Sequence, residues 1–292
     1  MREAPLPFRE LPQERPGYPA PDAVAARRAA SRAALGTYPE RECRLGDGRS
    51  GAVRALRFNP GGAARGTVLH WHGGGYRLGS PEYAAPFAEA LAAACDVEVI
   101  CPEYRLAPEH PFPAGLIDGV AAIEGALALG VGRLILSGDS AGGGLAAGLA
   151  AICANRGIPL TGLILLSPWL DLTVTNACYA ENAGSDPVFS GASAAEAADQ
   201  YLQGHSAGDP MASPLFARVR GIPPTYQCVG AGEVLAADAR AFHDRLTEAG
   251  RPVRLSVIPD MEHVAVMRSR DLAGAEQVFA EVTDFVRERV SD

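Results

Sequence analysis

Gly138-Asp139-Ser140-Ala141-Gly142 sets a serine between two glycines, directly after an apolar run at 133–137 and directly before a segment of helical period. In that context the glycines give room for a sharp strand-to-helix turn, and the serine hydroxyl is left projecting at the helix N-terminus. Such a hydroxyl is a weak nucleophile until a base takes its proton. The chemistry therefore also requires a histidine, and an acid that holds the histidine in the correct tautomer. An acyl carbonyl attacked by the serine becomes an oxyanion, which needs N–H donors aimed at it. His72-Gly73-Gly74-Gly75, after the apolar run at 67–71, offers backbone N–H groups unobstructed by side chains. The expected donors are Gly73, Gly74 and, beside the nucleophile, Ala141. A phosphate cradle is the competing reading of the glycine run, but the Lys-Ser/Thr sequel of a P-loop is missing and no clear helix begins there.

Six histidines compete for the role of base. His263 stands a few residues beyond the last apolar run, in Pro259-Asp260-Met261-Glu262-His263, and so belongs on a loop at the same sheet edge as the Ser140 turn. His70 falls inside a strand and reads as a packed histidine, and His72 begins the glycine loop and reads as its orienting residue. His110 sits among prolines, His205 in an inserted stretch, and His243 off the apolar stripe of a helix. For the acid, Glu233 in Gly230-Ala231-Gly232-Glu233 follows the run at 225–229, giving the order serine, acid, histidine. Asp238 is the alternative, although its place ahead of a helical stripe suits an N-cap. Asp260 and Glu262 are nearer His263 in sequence, but neighbours across a loop rarely point at one another.

The elements that must position these residues alternate from about residue 67 onward. Short apolar runs at 67–71, 97–101, 133–137, 163–167, 225–229 and 254–258 read as strands, and stretches of helical period lie at 83–94, 116–129, 142–155, 238–249 and 271–289. The strands lack in/out alternation, as expected of a parallel sheet covered by helices on both faces. Phe242, Leu246 and Ala249 form one helical stripe that Gly250 ends, and Val278, Phe279, Val282, Phe285 and Val286 form another. Residues 41–57, with Gly-Asp-Gly at the centre, read as an antiparallel hairpin leading into the sheet. Two stretches break the alternation: 1–40, rich in proline and alanine, and 174–213. Excursions of that length are usually lids or binding elements, and these two are expected to pack together as a cap on a catalytic domain spanning 41–292.

With 292 residues, 48% of them hydrophobic and 21% charged, the chain can bury a large single core. The net charge of -8 is spread without basic blocks, which excludes a nucleic-acid surface. The first thirty residues lack the apolar core of a signal peptide, and no run approaches the roughly 18–20 apolar residues of a membrane span. A soluble cytoplasmic protein is expected. The six cysteines show no metal-ligand spacing and read as free, mostly buried thiols, so no metal is expected.

Together, His72-Gly73-Gly74-Gly75, the block Tyr104–Ala114 (YRLAPEHPFPA), Gly138-Asp139-Ser140-Ala141-Gly142-Gly143 and Ser167-Pro168-Trp169-Leu170-Asp171 resemble the hormone-sensitive-lipase-like bacterial esterases, family IV or the α/β-hydrolase-3 group. The resemblance runs from about His70 to His263. It implies an α/β-hydrolase fold with a mostly parallel eight-stranded sheet flanked by helices under a small helical cap, short to medium acyl esters as substrates, no cofactor, and a homodimer by analogy. The Tyr104–Ala114 block is structural in the family and carries no catalytic role here. One departure stands out. The family's acidic segment usually reads Asp-x-Leu-x-Asp/Glu, whereas this chain has Glu233-Val234-Leu235-Ala236-Ala237-Asp238. Glutamate first looks like the branch that includes relatives of monoterpene lactone hydrolase.

The function expected is a carboxylic ester hydrolase working through an acyl-enzyme on Ser140, with His263 as base, Glu233 as acid, and Gly73, Gly74 and Ala141 binding the oxyanion. A lactonase, an amidase or a formamidase would share that site. A non-catalytic small-molecule receptor of the same fold would lack the histidine, and a dehydratase would more naturally show threonine in place of Ser140.

Overall fold

The computed structural model describes residues 13–46, 52–59 and 64–291. Eight strands form one sheet: β1 (Glu42–Leu45), β2 (Val53–Phe58), β3 (Thr67–Trp71), β4 (Glu98–Pro102), β5 (Leu134–Asp139), β6 (Gly162–Leu166), β7 (Thr225–Gly230) and β8 (Val253–Ile258). Their order is β1-β2-β4-β3-β5-β6-β7-β8. The first two strands run antiparallel to their neighbours and the rest are parallel, which is the α/β-hydrolase arrangement the sequence implied. β1 and β2 pair as the expected hairpin, and its connection at 47–51 lies outside the described residues.

The helices are α1 (Asp22–Ala34), α2 (Pro81–Cys95), α3 (Ala114–Ala128), α4 (Ala141–Arg156), α5 (Cys178–Glu181), α6 (Gly191–Leu202), α7 (Ala236–Glu248), α8 (Ala265–Arg268) and α9 (Ala275–Val290). They explain why the strands read as unbroken apolar runs. On β6, Leu163 and Leu165 face a core shared with α3 and α4, while Ile164 and Leu166 face a second core made with α2 and α9. Both sides of a central strand are buried, so the period of two is present in the structure but silent in hydrophobicity. β5 also registers beside both β3 and β6, which brings the ends of the three strands to one edge.

Expected boundaries move in the two long helices nearest the C-terminal end. The last helix begins at Ala275 rather than near 271, because Gly274 holds φ 74° and the separate turn α8 precedes it. α7 starts at Ala236, two residues early, and buries Ala239, Phe242 and Leu246, leaving Ala249 exposed outside the stripe. Asp238 is therefore no N-cap: it lies inside α7 and its carboxylate serves another loop. All six cysteines are free and five are buried. Among the described residues, no helix is long and apolar enough to cross a membrane.

Candidate active site

β5 ends at Asp139 and α4 begins at Ala141, so Ser140 alone makes the turn, with φ 52° and ψ -122°. A left-handed φ is strained for serine, and the flanking glycines are what make it possible. A Cβ on Gly138 would stand 2.1 Å from the Gly142 carbonyl oxygen, and one on Gly142 would stand 2.1 Å from that of Trp71. Any larger residue at either place would push the turn off the sheet.

Across the sheet edge, His263 Nε2 lies 2.9 Å from Ser140 Oγ, and His263 Nδ1 lies 2.6 Å from Glu233 Oε2. Ser140, His263 and Glu233 are 6%, 4% and 1% exposed. Glu233 follows β7, and its other oxygen, Oε1, accepts hydrogen bonds from Ser167 Oγ at 2.8 Å and from the Gly230 N–H. With both oxygens engaged, the carboxylate cannot rotate away from the imidazole. Burial would lower the His263 pKa, but the hydrogen bond and charge of Glu233 outweigh it and leave it above its ordinary value. The arrangement can deprotonate Ser140 during attack and stabilise the imidazolium that results.

The glycine loop after β3 corrects one expected residue. The Gly73 N–H donates to Asp139 Oδ1 at 3.0 Å, so it is committed inside the protein and unavailable to an oxyanion. Among the described residues, the Gly74 and Gly75 amides have no such partner, and both residues line the cavity with Ser140. Ala141, first in α4, has no carbonyl one turn back to receive its N–H. Three unspent donors thus surround the serine: Gly74, Gly75 and Ala141.

His70 is packed, as its strand position implied, between Ser137 Oγ at 2.9 Å and Asp139 Oδ1 at 3.2 Å. His72 orients the loop: its Nδ1–H donates to the Gly73 carbonyl at 2.8 Å and its ring stacks on Tyr104 at 4.5 Å. Burial lowers its pKa, which keeps it neutral. The Tyr104 hydroxyl in turn donates to the His72 carbonyl at 2.9 Å, a structural contact from the block that carried no catalytic role. His205 bonds to Asp209 and His243 to its neighbour Asp244, and none of these lines the cavity with Ser140, nor does His110. The alternative acid, Asp238, accepts instead from the Leu170 and Asp171 N–H groups and from Asn176 Nδ2, bracing the chain after β6. Glu262 pairs with Arg268 on the surface.

Several residues escaped the sequence reading. Asp186 in the 174–213 stretch accepts from the Val188 and Phe189 N–H groups on one oxygen and from the Val234 N–H on the other. It thereby fastens the stretch to the loop that carries Glu233. Phe189 stacks on the His263 ring at 5.6 Å. Asp186-Pro187 before an apolar pair has the form of an Asx turn, a signal that could have found it. Asp186, Glu233 and His263 also lie close enough together for metal ligation. Their facing atoms are already engaged in the bonds above, so the donor set serves proton chemistry rather than a cation.

A family model described as the alpha/beta hydrolase fold matches residues 68–267. The chain belongs to the α/β-hydrolase fold family. Within it, the chain is of the hormone-sensitive-lipase-like kind. It is similar to an acetyl-hydrolase of Streptomyces hygroscopicus, 38% identical over 201 residues, covering 68% of this chain and 67% of that one. It is also similar to an esterase of Acinetobacter venetianus, 32% identical over 242 residues, covering 81% and 80%. Among solved structures, an esterase from the bacterial hormone-sensitive lipase family superposes with TM-score 0.84 at 34% identity, covering 94% of both chains. The protein EstE5 superposes with TM-score 0.83 at 32% identity, covering 95% of this chain and 94% of that one.

Proposed function

We propose that this α/β-hydrolase is a carboxylic ester hydrolase that acts on short to medium acyl esters through an acyl-enzyme on Ser140. The observation that carries it is the continuous chain Ser140–His263–Glu233, with contacts of 2.9 and 2.6 Å, beside amides that have no partner among the described residues. Ser140 Oγ attacks the ester carbonyl as its proton passes to His263 Nε2. The oxyanion is held by the N–H groups of Gly74, Gly75 and Ala141, and Glu233 steadies the imidazolium through Nδ1. His263 then protonates the leaving alcohol, and water, deprotonated by the same nitrogen, releases the acid. The cavity over Ser140, about 220 Å³, lies below the roughly 300–1,000 Å³ of drug-sized sites and favours short substrates.

The cap assignment for 1–40 and 174–213 belongs to the same proposal. Arg15 donates to the Leu202 carbonyl at 3.0 Å, and Ser31 of α1 and Ser193 of α6 line the same cavity. Residues 1–12 lie outside the described residues. A homodimer is proposed on the family resemblance and on the half-exposed edge strand β8. The deciding experiment is hydrolysis of p-nitrophenyl esters of increasing acyl length by the natural chain and by Ser140→Ala. Turnover of short esters that drops by roughly 10⁴-fold or more in the variant is expected. A folded natural chain inert on every ester would instead direct attention to lactones and formamides.

A further inference from the structure

Arg77 stands two residues past Gly75, and its side chain lines the cavity above Ser140. It is 4% exposed. Nη1 meets Glu196 Oε1 at 2.9 Å and Gln200 Oε1 at 3.4 Å, both from α6. Nε, by contrast, is buried with no hydrogen-bond partner among the described residues. It lies 3.9 Å from where a Cβ on Gly75 would be, which puts the guanidinium beside the loop that offers N–H groups to the oxyanion. Burial lowers the Arg77 pKa, Glu196 offsets that in part, and the neighbouring Arg27 lowers it again.

Of the guanidiniums around the cavity, one lacks an acid partner. Arg27, Arg77 and Arg268 line it against a single carboxylate, Asp139. Arg268 is paired with Glu262, and Asp139 is turned to His70 and Gly73. Arg27, on α1, has no acid partner among the described residues and approaches Arg77 closely enough to repel it. A buried guanidinium N–H left unpaired is costly, and an aliphatic acyl chain would leave it so. A carboxylate in the same place would give Arg77 Nε an acceptor and Arg27 an acid partner.

We propose that the preferred substrate is an ester that itself carries a carboxylate, a short spacer away from the scissile carbonyl, recognised by Arg77 and Arg27. This rests on the ester-hydrolase reading of Ser140. If Arg77 only tied the glycine loop to α6 through Glu196, its loss would slow charged and neutral esters alike.

Matched pairs separate the two roles. Monoethyl glutarate and ethyl pentanoate differ only in a terminal carboxylate or methyl on the acyl side. 4-Acetoxybutanoate and butyl acetate differ in the same way on the alcohol side. Acid release from each would be followed by titration at constant pH. The expected result is a kcat/KM for the carboxylate-bearing member of at least one pair about tenfold or more above that of its neutral mate, the scale of a charge-assisted contact. Arg77→Gln should collapse that ratio and Arg77→Lys should keep part of it. Arg27→Gln, at an exposed position where folding is not at stake, should lower the ratio several-fold and make it less sensitive to salt. A natural chain that favours the neutral member of both pairs overturns the proposal, as does a ratio unmoved by Arg27→Gln. Hydrolysis of the neutral esters alone, lost in Ser140→Ala, would leave the ester hydrolase standing without its carboxylate preference. Hydrolysis of none of the four would overturn both.

Discussion

Glu233 uses its two oxygens for different tasks: Oε2 faces the His263 ring, and Oε1 is pinned by Ser167 and Gly230. Only neutral His263 can accept the serine proton, and its pKa is raised, so activity should fall as pH drops through a value above the ordinary histidine figure of about 6.5. Glu233→Gln removes the charge that raises it. The acid limb of kcat/KM should move to lower pH, and kcat should fall by about 10³–10⁴-fold as the imidazolium loses its partner. A pH–rate profile checks both, and an unmoved limb would mean that another group sets it. Asp238 answers to pH differently. Burial raises its pKa to about 7 in the folded chain, against about 3.9 when unfolded. The folded state therefore binds the proton more tightly between those values, and this group's contribution to stability declines as pH rises from about 4 to about 7. Asp238→Asn should flatten that slope in urea unfolding measured at both ends of the window. Ser140, Glu233 and His263 could be read from sequence because each follows a strand at one edge of the sheet. That Gly73 is spent and Gly75 free could not, since it depends on Asp139 at the end of β5 reaching the loop after β3.

Element by element, the glycine loop is held from outside as much as from within. Arg28 on α1 donates to the Arg77 carbonyl at 2.7 Å, to the Ala107 carbonyl at 2.7 Å and to both oxygens of Glu109. One guanidinium thus ties the N-terminal helix to the loop that presents Gly74 and Gly75 and to the segment after Tyr104. Arg28→Ala should lower kcat by about tenfold or more while moving KM less, because a donor displaced by a fraction of an ångström stabilises the oxyanion poorly. Steady-state kinetics on a neutral short ester would show it, and a change confined to KM would speak against a positioning role. The parallel strands and α4 were legible because apolar runs and glycine spacing are local signals. The start of α9 was not: the pattern at 271–289 continues through Gly274, and only the left-handed backbone there ends one element and begins the next. The contacts of Asp186 and Phe189 on the Glu233 and His263 loops join segments far apart in sequence, which periodicity cannot register.

At the scale of the whole molecule, the sheet order brings the ends of β3, β5, β7 and β8 to one edge, so a serine, an acid, a base and a glycine loop from four connections converge. The fold class was readable because two buried faces, six parallel strands and intervening helices leave few other arrangements. The grouping of Arg27, Arg77 and Arg268 at the cavity was not, since it combines α1, the glycine loop and α8, and no single stretch of sequence is basic. The central claim is that the acyl group passes through Ser140. Its most direct test is mass spectrometry of the protein quenched during turnover of a short p-nitrophenyl ester, with the modified peptide sequenced. The expected result is one acyl group on the peptide containing Ser140, absent in Ser140→Ala. Turnover by the natural chain with the acyl group on another residue, or with Ser140→Ala as active as the natural chain, would contradict it.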